Sequence, residues 1–138
     1  MIDAGVPDIR LTNRTRPRAD RIAQVLGDAV TVHDWDDRGA VLADANLLVN
    51  TTTLGMTGKD PLEVSLDALP EAALVNDIVY APLETGLLAA ARARGNPVVD
   101  GLGMLLHQAR PGFEAWFGTA PQVTLDLRAH ILAHLGQG

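Results

Sequence analysis

The sequence predicts an α/β fold, a parallel sheet with helices on both faces, followed by two helices at the C-terminal end. Three observations carry this. Short runs rich in Val, Leu and Ile recur at 9–13, 29–33, 46–50, 74–79 and 97–99. Runs of this kind suit strands buried on both faces, as in parallel sheets. Helical periods lie between them, which is the alternation of crossover units. After residue 101 the strands stop, and 102–117 and 121–135 read as two consecutive helices.

Each element has a local cause. MIDAGVPD reads as the last turn of a helix, with Gly5 as its stop and Pro7 in the loop to the first strand. Ala19, Ile22, Ala23 and Leu26 recur at i, i+3, i+4 and i+7, and Gly27 ends the pattern. In 84–94, Leu87, Leu88 and Ala91 share one side, and Gly95 closes the helix. Leu127, Ile131 and Leu135 form a stripe that must pack on something. Pro111-Gly112 is expected to kink or interrupt the 102–117 helix, because proline removes a donor and clashes with the preceding turn. Trp116 and Phe117 fall on its apolar side and are expected in the core.

Composition bounds the function. With 138 residues, 47% of them hydrophobic and 20% charged, the chain is an ordinary globular sequence with one modest core. Cysteine is absent, which removes thiolate nucleophiles and Cys-based metal sites. No signal-like segment occurs, nor any apolar run near the ~18 residues of a membrane span, so a cytoplasmic location is expected. A net charge of −6 argues against nucleic acid. Yet five of the eleven basic residues (Arg10, Arg14, Arg16, Arg18, Arg21) lie in 10–21, where Asp20 is the only acid. That combination suggests a small anionic ligand.

The first strand ends in Asn13-Arg14-Thr15 with no carboxylate at its tip. In dinucleotide-binding sheets an acidic residue there selects a free ribose 2′-hydroxyl, whereas arginine suits a 2′-phosphate. Thr15 is placed to cap the following helix, Pro17 suits its first turn, and Arg14 and Arg18 offer planar donors to phosphate oxygens. A solvated, arginine-rich turn is the alternative reading. A complete dinucleotide fold also opens with a strand and a Gly-x-Gly-x-x-Gly turn. Neither is found here, so the chain reads as cut through such a domain.

Three further stretches stand at strand ends or helix starts. NTTTLGM (50–56) starts at the end of the third apolar run, DIVYAPLET (77–85) overlaps the end of the fourth and places Tyr80 just beyond it, and DGLGMLLHQA (100–109) opens the first C-terminal helix. Singly, each suits turn chemistry and capping. In this order and spacing, N-R-T, N-x-T-x-x-G-M, D-x-x-Y-x-P-x-x-T and D-G-x-G-M-L-x-x-Q-A resemble the C-terminal, NADP-binding half of shikimate dehydrogenases. The resemblance covers essentially the whole chain and implies an incomplete Rossmann-like sheet. Residues 1–138 would then be a partial NADP-binding domain, truncated before the first strand and glycine-rich loop, with the N-terminal substrate domain absent.

By this resemblance, Asn13, Arg14, Thr15 and Arg18 grip the adenosine 2′-phosphate, and Thr51, Thr52 and Thr53 lie along the cofactor. Ile78 contacts the nicotinamide side through its backbone, with Gly101 and Met104 against the same end. Tyr80 and Gln108 contribute to the bound substrate. The implied reaction is reversible hydride exchange between NADPH and 3-dehydroshikimate, in aromatic amino-acid biosynthesis. The family's catalytic Lys–Asp pair belongs to the absent domain, so no residue here is assigned as catalytic and the fragment is expected to be inactive alone. Thr51 replaces a common Ala, and Gly86 a frequent Pro.

Other tempting residues have plainer readings. Lys59, the only lysine, lies in the polar turn Thr57-Gly58-Lys59-Asp60-Pro61 and reads as solvated. His107 would point to a different helix face from Gln108. His130 and His134 have the i, i+4 spacing of two metal ligands, but no Glu follows His130 and no third ligand is evident, so no metal is expected. Asp34, Asp36 and Asp37 surround Trp35 in a hydrophilic turn. The rival to the dehydrogenase reading is a non-catalytic nucleotide-binding or oligomerising domain. Under either reading the incomplete sheet favours homo-oligomerisation or association with another chain.

Overall fold

Every apolar run forms a strand, and every strand pairing is parallel. In the computed structural model, which describes residues 1–135, the strands are β1 (Ile9–Thr12), β2 (Val30–His33), β3 (Leu47–Asn50), β4 (Leu74–Asp77) and β5 (Val98–Val99). The α-helices are α1 (Arg16–Leu26), α2 (Gly86–Ala93), α3 (Gly101–Phe117) and α4 (Leu125–Leu135). The strands divide into two sheets, β1–β2 and β3–β4–β5. The chain correspondingly forms two compact units, residues 1–45 with 64–70, and residues 46–63 with 71 onward.

In the N-terminal unit a single 3-10 turn, Ile2–Ala4, ends at Gly5, whose φ of 80° is the left-handed stop anticipated from the sequence. β1 and β2 pair from Ile9↔Val30 to Thr12↔His33, with α1 as their crossover. Two 3-10 turns follow, Trp35–Asp37 and Ala40–Leu42. The core is small: Ala19, Val30 and Leu42, with Leu66 and Leu69 from the returning segment. The apolar stripe of α1 is only partly covered, since Ala19 is buried while Ile22, Val25 and Leu26 are exposed. Two four-residue strands give too little surface to cover an eleven-residue helix.

In the C-terminal unit β4 is central and β3 is an edge strand. Val75, Val79, Leu87, Leu88, Ala91 and Leu102 are nearly inaccessible and form the core between the sheet and the helices. Fully burying such side chains stabilises by about 1.5–3 kcal/mol each for the larger ones. Thr85 caps α2 by accepting from the Leu88 N–H at 3.3 Å. Asp100 caps α3, accepting from the Leu102 N–H at 3.1 Å, and its other oxygen receives Arg128 from α4.

The two C-terminal helices depart from expectation. α3 runs through Pro111-Gly112 without interruption. The carbonyl freed by the missing Pro111 N–H belongs to His107, an exposed residue. Trp116 and Phe117 are not core residues: they are 80% and 66% exposed, and Phe113 is also open, its ring 4.5 Å from that of Phe117. The stripe on α4 is likewise shallow, because that helix buries no residue and Leu127 and Leu135 are exposed. Trp116→Ala is therefore expected to change stability by less than about 0.5 kcal/mol, the surface range. An emptied core site would cost about 3–5 kcal/mol instead. Urea unfolding of the two proteins separates these values.

Candidate functional site

The arginine-rich turn folds as one local unit between β1 and α1. The Asn13 side-chain amide donates to the Thr15 carbonyl at 3.0 Å, and the Arg18 N–H donates to the same oxygen at 2.9 Å. Thr15 occupies the N-cap position, but its hydroxyl makes no cap bond, which corrects the role expected of it. With φ −100° and ψ 87°, its backbone is short of the fully extended conformation in which such a hydroxyl turns back onto the helix. Pro17 lies in the first turn, as its missing N–H allows.

The three arginines of the turn differ in their commitments. The Arg16 guanidinium donates to Asp20 at 2.9 Å and to Asp34 at 2.5 Å, and these two carboxylates raise its pKa further, Asp20 the more. Its charge is locally balanced. Arg14 and Arg18 are exposed and form no ion pair among the described residues. Within the turn itself, two guanidinium forks, Arg14 and Arg18, thus stand available beside a Thr15 hydroxyl that makes no cap bond, a donor set matched to a phosphate.

The second group of residues lies in the C-terminal unit, at the carboxyl ends of β3 and β4. Asn50 ends β3 with its side chain buried and every amide hydrogen-bonding position used. Its Nδ2 donates to the Leu54 carbonyl at 3.1 Å and to Asp77 Oδ1 at 2.9 Å. Its Oδ1 accepts from the Thr52 N–H at 3.0 Å and the Thr52 hydroxyl at 2.8 Å. The Leu54 N–H then donates to the Thr52 hydroxyl oxygen at 3.1 Å. Of the three threonines, Thr52 is consumed by this turn, whereas Thr51 and Thr53 are exposed.

Ile78 and Gly101 meet directly. A Cβ built on Gly101 would lie 2.2 Å from the Ile78 carbonyl oxygen and 2.5 Å from that of Val79. Only glycine lets α3 start so close to the end of β4. The close approach at Gly101 is to the chain's own backbone, while Gly103 has open space around it. Met104 and Tyr80 are half-buried and Gln108 is exposed. Lys59 is exposed at a cavity of about 200 Å³ whose walls include Gly55, Leu62, Asp77, Thr85 and Leu87.

What reasoning from sequence missed is the buried polar set Asn50, Asp77 and Thr85. The signal was present, since each begins or ends a recognised motif, but no role was attached to it. On α4, the His130 and His134 ring centroids lie 4.4 Å apart with the rings tilted by 45°, and His134 Nδ1 is 2.8 Å from the His130 carbonyl. Among the described residues no group of three or more His, Asp or Glu side chains is placed to hold a metal ion, and no helix is long and apolar enough to cross a membrane.

Residues 101–129 match the family model for the shikimate 5′-dehydrogenase C-terminal domain. Over 133 residues the chain is 63% identical to a shikimate dehydrogenase (NADP(+)) of Paramagnetospirillum magneticum, covering 96% of this chain and 48% of that protein. A shikimate dehydrogenase (NADP(+)) of Dinoroseobacter shibae is 58% identical with the same coverage. Among solved structures, quinate dehydrogenase from Corynebacterium glutamicum in complex with NAD has a TM-score of 0.84 and 32% identity, covering 96% of this chain and 48% of its own. Shikimate 5-dehydrogenase from Thermus thermophilus in complex with NADP(H) and shikimate has a TM-score of 0.72 and 31% identity, with coverage of 88% and 44%. The chain thus spans about half the length of the relatives it matches.

Proposed function

We infer, since this chain belongs to the shikimate dehydrogenase family and corresponds to its C-terminal half, that it is the NADP(H)-binding portion of an enzyme interconverting 3-dehydroshikimate and shikimate. The observation that carries the cofactor choice is the tip of β1, where Arg14 and Arg18 are unpaired and no carboxylate stands among Asn13, Arg14 and Thr15. A 2′-hydroxyl needs an acceptor there, and a 2′-phosphate needs donors. In this reading Asn13, Arg14, Thr15 and Arg18 hold the 2′-phosphate, and the Thr51–Thr53 turn flanks the dinucleotide. The Ile78 backbone, Gly101 and Met104 border the nicotinamide. Tyr80 and Gln108 offer a phenol and an amide to a polyhydroxylated acid. The bound dinucleotide supplies or accepts the hydride.

The likeness to an NAD-bound quinate dehydrogenase favours a second reading, in which the substrate is quinate. The two arginines weigh against NAD, but they do not bear on the choice of acid. In both readings the proton-transfer pair belongs to the other half of the enzyme. These 138 residues by themselves are expected to show no NADP+-dependent oxidation of shikimate or quinate, and the whole enzyme is expected to act in the cytoplasm.

Calorimetric titration with adenosine 2′,5′-bisphosphate and with AMP tests the assignment. Clear preference for the bisphosphate is expected, and equal affinities would refute the phosphate clamp. Light scattering on the same sample is expected to show association. β3 is an edge strand, the N-terminal sheet has only two strands, and α1 leaves Ile22, Val25 and Leu26 open.

A further inference from the structure

We propose that Asp77 is a positioning residue that couples the Thr51–Thr53 turn to the Ile78–Tyr80 segment, so that the two loops bordering the dinucleotide hold one spacing. This rests on the functional reading above for what the loops bind, and on the geometry for the coupling itself. Asp77 ends β4 and is wholly inaccessible to solvent. It has no cation partner among the described residues. Its carboxylate is satisfied instead by three donors from three segments. Oδ1 accepts from Asn50 Nδ2 at 2.9 Å and from the Val79 N–H at 3.0 Å, and Oδ2 accepts from the Thr85 hydroxyl at 2.7 Å.

A buried carboxylate without a cation is a costly way to finish a strand, and an apolar side chain would pack there without needing partners. What the carboxylate adds is convergence. Asn50 immediately precedes Thr51 and holds Thr52 through both the backbone and the hydroxyl. Val79 lies between Ile78 and Tyr80. Thr85 also accepts from the Leu88 N–H, so the start of α2 is tied to the same group. The Ile78 N–H reinforces the link by donating to the Asn50 carbonyl at 3.1 Å. Asn50 and Asp77 are register partners in the β3–β4 ladder, which brings together residues far apart in the chain. Every member of the network is satisfied by another, so removing one acceptor loosens the rest.

The test compares the native chain with Asp77→Asn and Thr85→Val, using two ligands and one ligand-free readout. The Asn variant keeps the shape but halves the acceptor oxygens. The Val variant removes only the Thr85 hydroxyl, and it serves if the Asn variant fails to fold. Calorimetry is expected to show NADP+ binding weakened about tenfold, as for one lost hydrogen bond to a charged group. Adenosine 2′,5′-bisphosphate, held by residues 13–18, is expected to bind unchanged. Amide hydrogen exchange is expected to accelerate at Thr52, Leu54 and Val79 together. Equal weakening of both ligands would mark a merely structural role and overturn the proposal, as would faster exchange at Val79 alone. If the native chain binds neither ligand, the functional reading fails, and the exchange pattern alone decides whether Asp77 couples the loops.

Discussion

Gly101→Ala is expected to destabilise the C-terminal unit by at least about 3 kcal/mol, at the upper end of overpacking costs. The added methyl group would meet the Ile78 carbonyl oxygen at 2.2 Å, its carbon at 2.5 Å and the Val79 oxygen at 2.5 Å. These are backbone atoms at the end of the central strand, and they cannot swing aside as a flexible side chain does. Relief requires α3 to withdraw. Withdrawal would strain the Asp100 cap on Leu102 and the Asp100–Arg128 pair that joins α3 to α4. For a domain stable by about 5–15 kcal/mol, this is a large fraction of the total. Gly103→Ala is the matched control. It lies two residues further on in the same helix with open space around it, and is expected to stabilise by up to about 1 kcal/mol through helix propensity. Urea unfolding of both variants reads the difference, and an unchanged midpoint for Gly101→Ala would disprove the contact.

Arg14→Ala is expected to weaken binding of adenosine 2′,5′-bisphosphate by about 1.5–3 kcal/mol, the range for hydrogen bonds to charged groups. AMP, which lacks the 2′-phosphate, should bind the variant and the native chain alike. The size of the effect follows from how the positive charge is shared out. Arg16 is held by Asp20 and Asp34, which leaves Arg14 and Arg18 as the turn's unpaired guanidinium donors. Because Arg14 is exposed and unpaired, its removal should leave folding nearly unchanged. Calorimetry paired with thermal unfolding separates the two effects. An equal loss for both nucleotides would remove Arg14 from the phosphate site.

The fold class was legible because parallel strands and crossover helices leave periodic apolar patterns that need no knowledge of partners. Gly5 was legible as a helix stop for the same reason, since it acts within four residues of itself. Asn13 to Thr15 were readable as a turn because the Asn13 amide closes it on the chain's own backbone. Trp116 and Phe117 show the limit of that approach. Their side chains are apolar on an amphipathic helix, but whether a surface covers them is not a local property, and here none among the described residues does. Pro111 shows another limit, because His107, the residue whose carbonyl it frees, is exposed rather than packed. Thr15 failed as a side-chain cap for a finer reason, the dihedral angle of one residue.

The sequence by itself determined the parallel α/β class, the arginine turn without a carboxylate, and the four motifs that point to one family. Only the tertiary structure decided that Arg16 is neutralised by Asp34, leaving Arg14 and Arg18 available. It alone decided that Gly101 must be glycine because α3 starts against Ile78, and that Asn50, Asp77 and Thr85 close a single buried network. The physical reason is range. Periodicity, capping and turn chemistry act over a few residues and are written in order along the chain. Strand register and the charge left after pairing depend on residues far apart in sequence, and they exist only once the sheet has assembled.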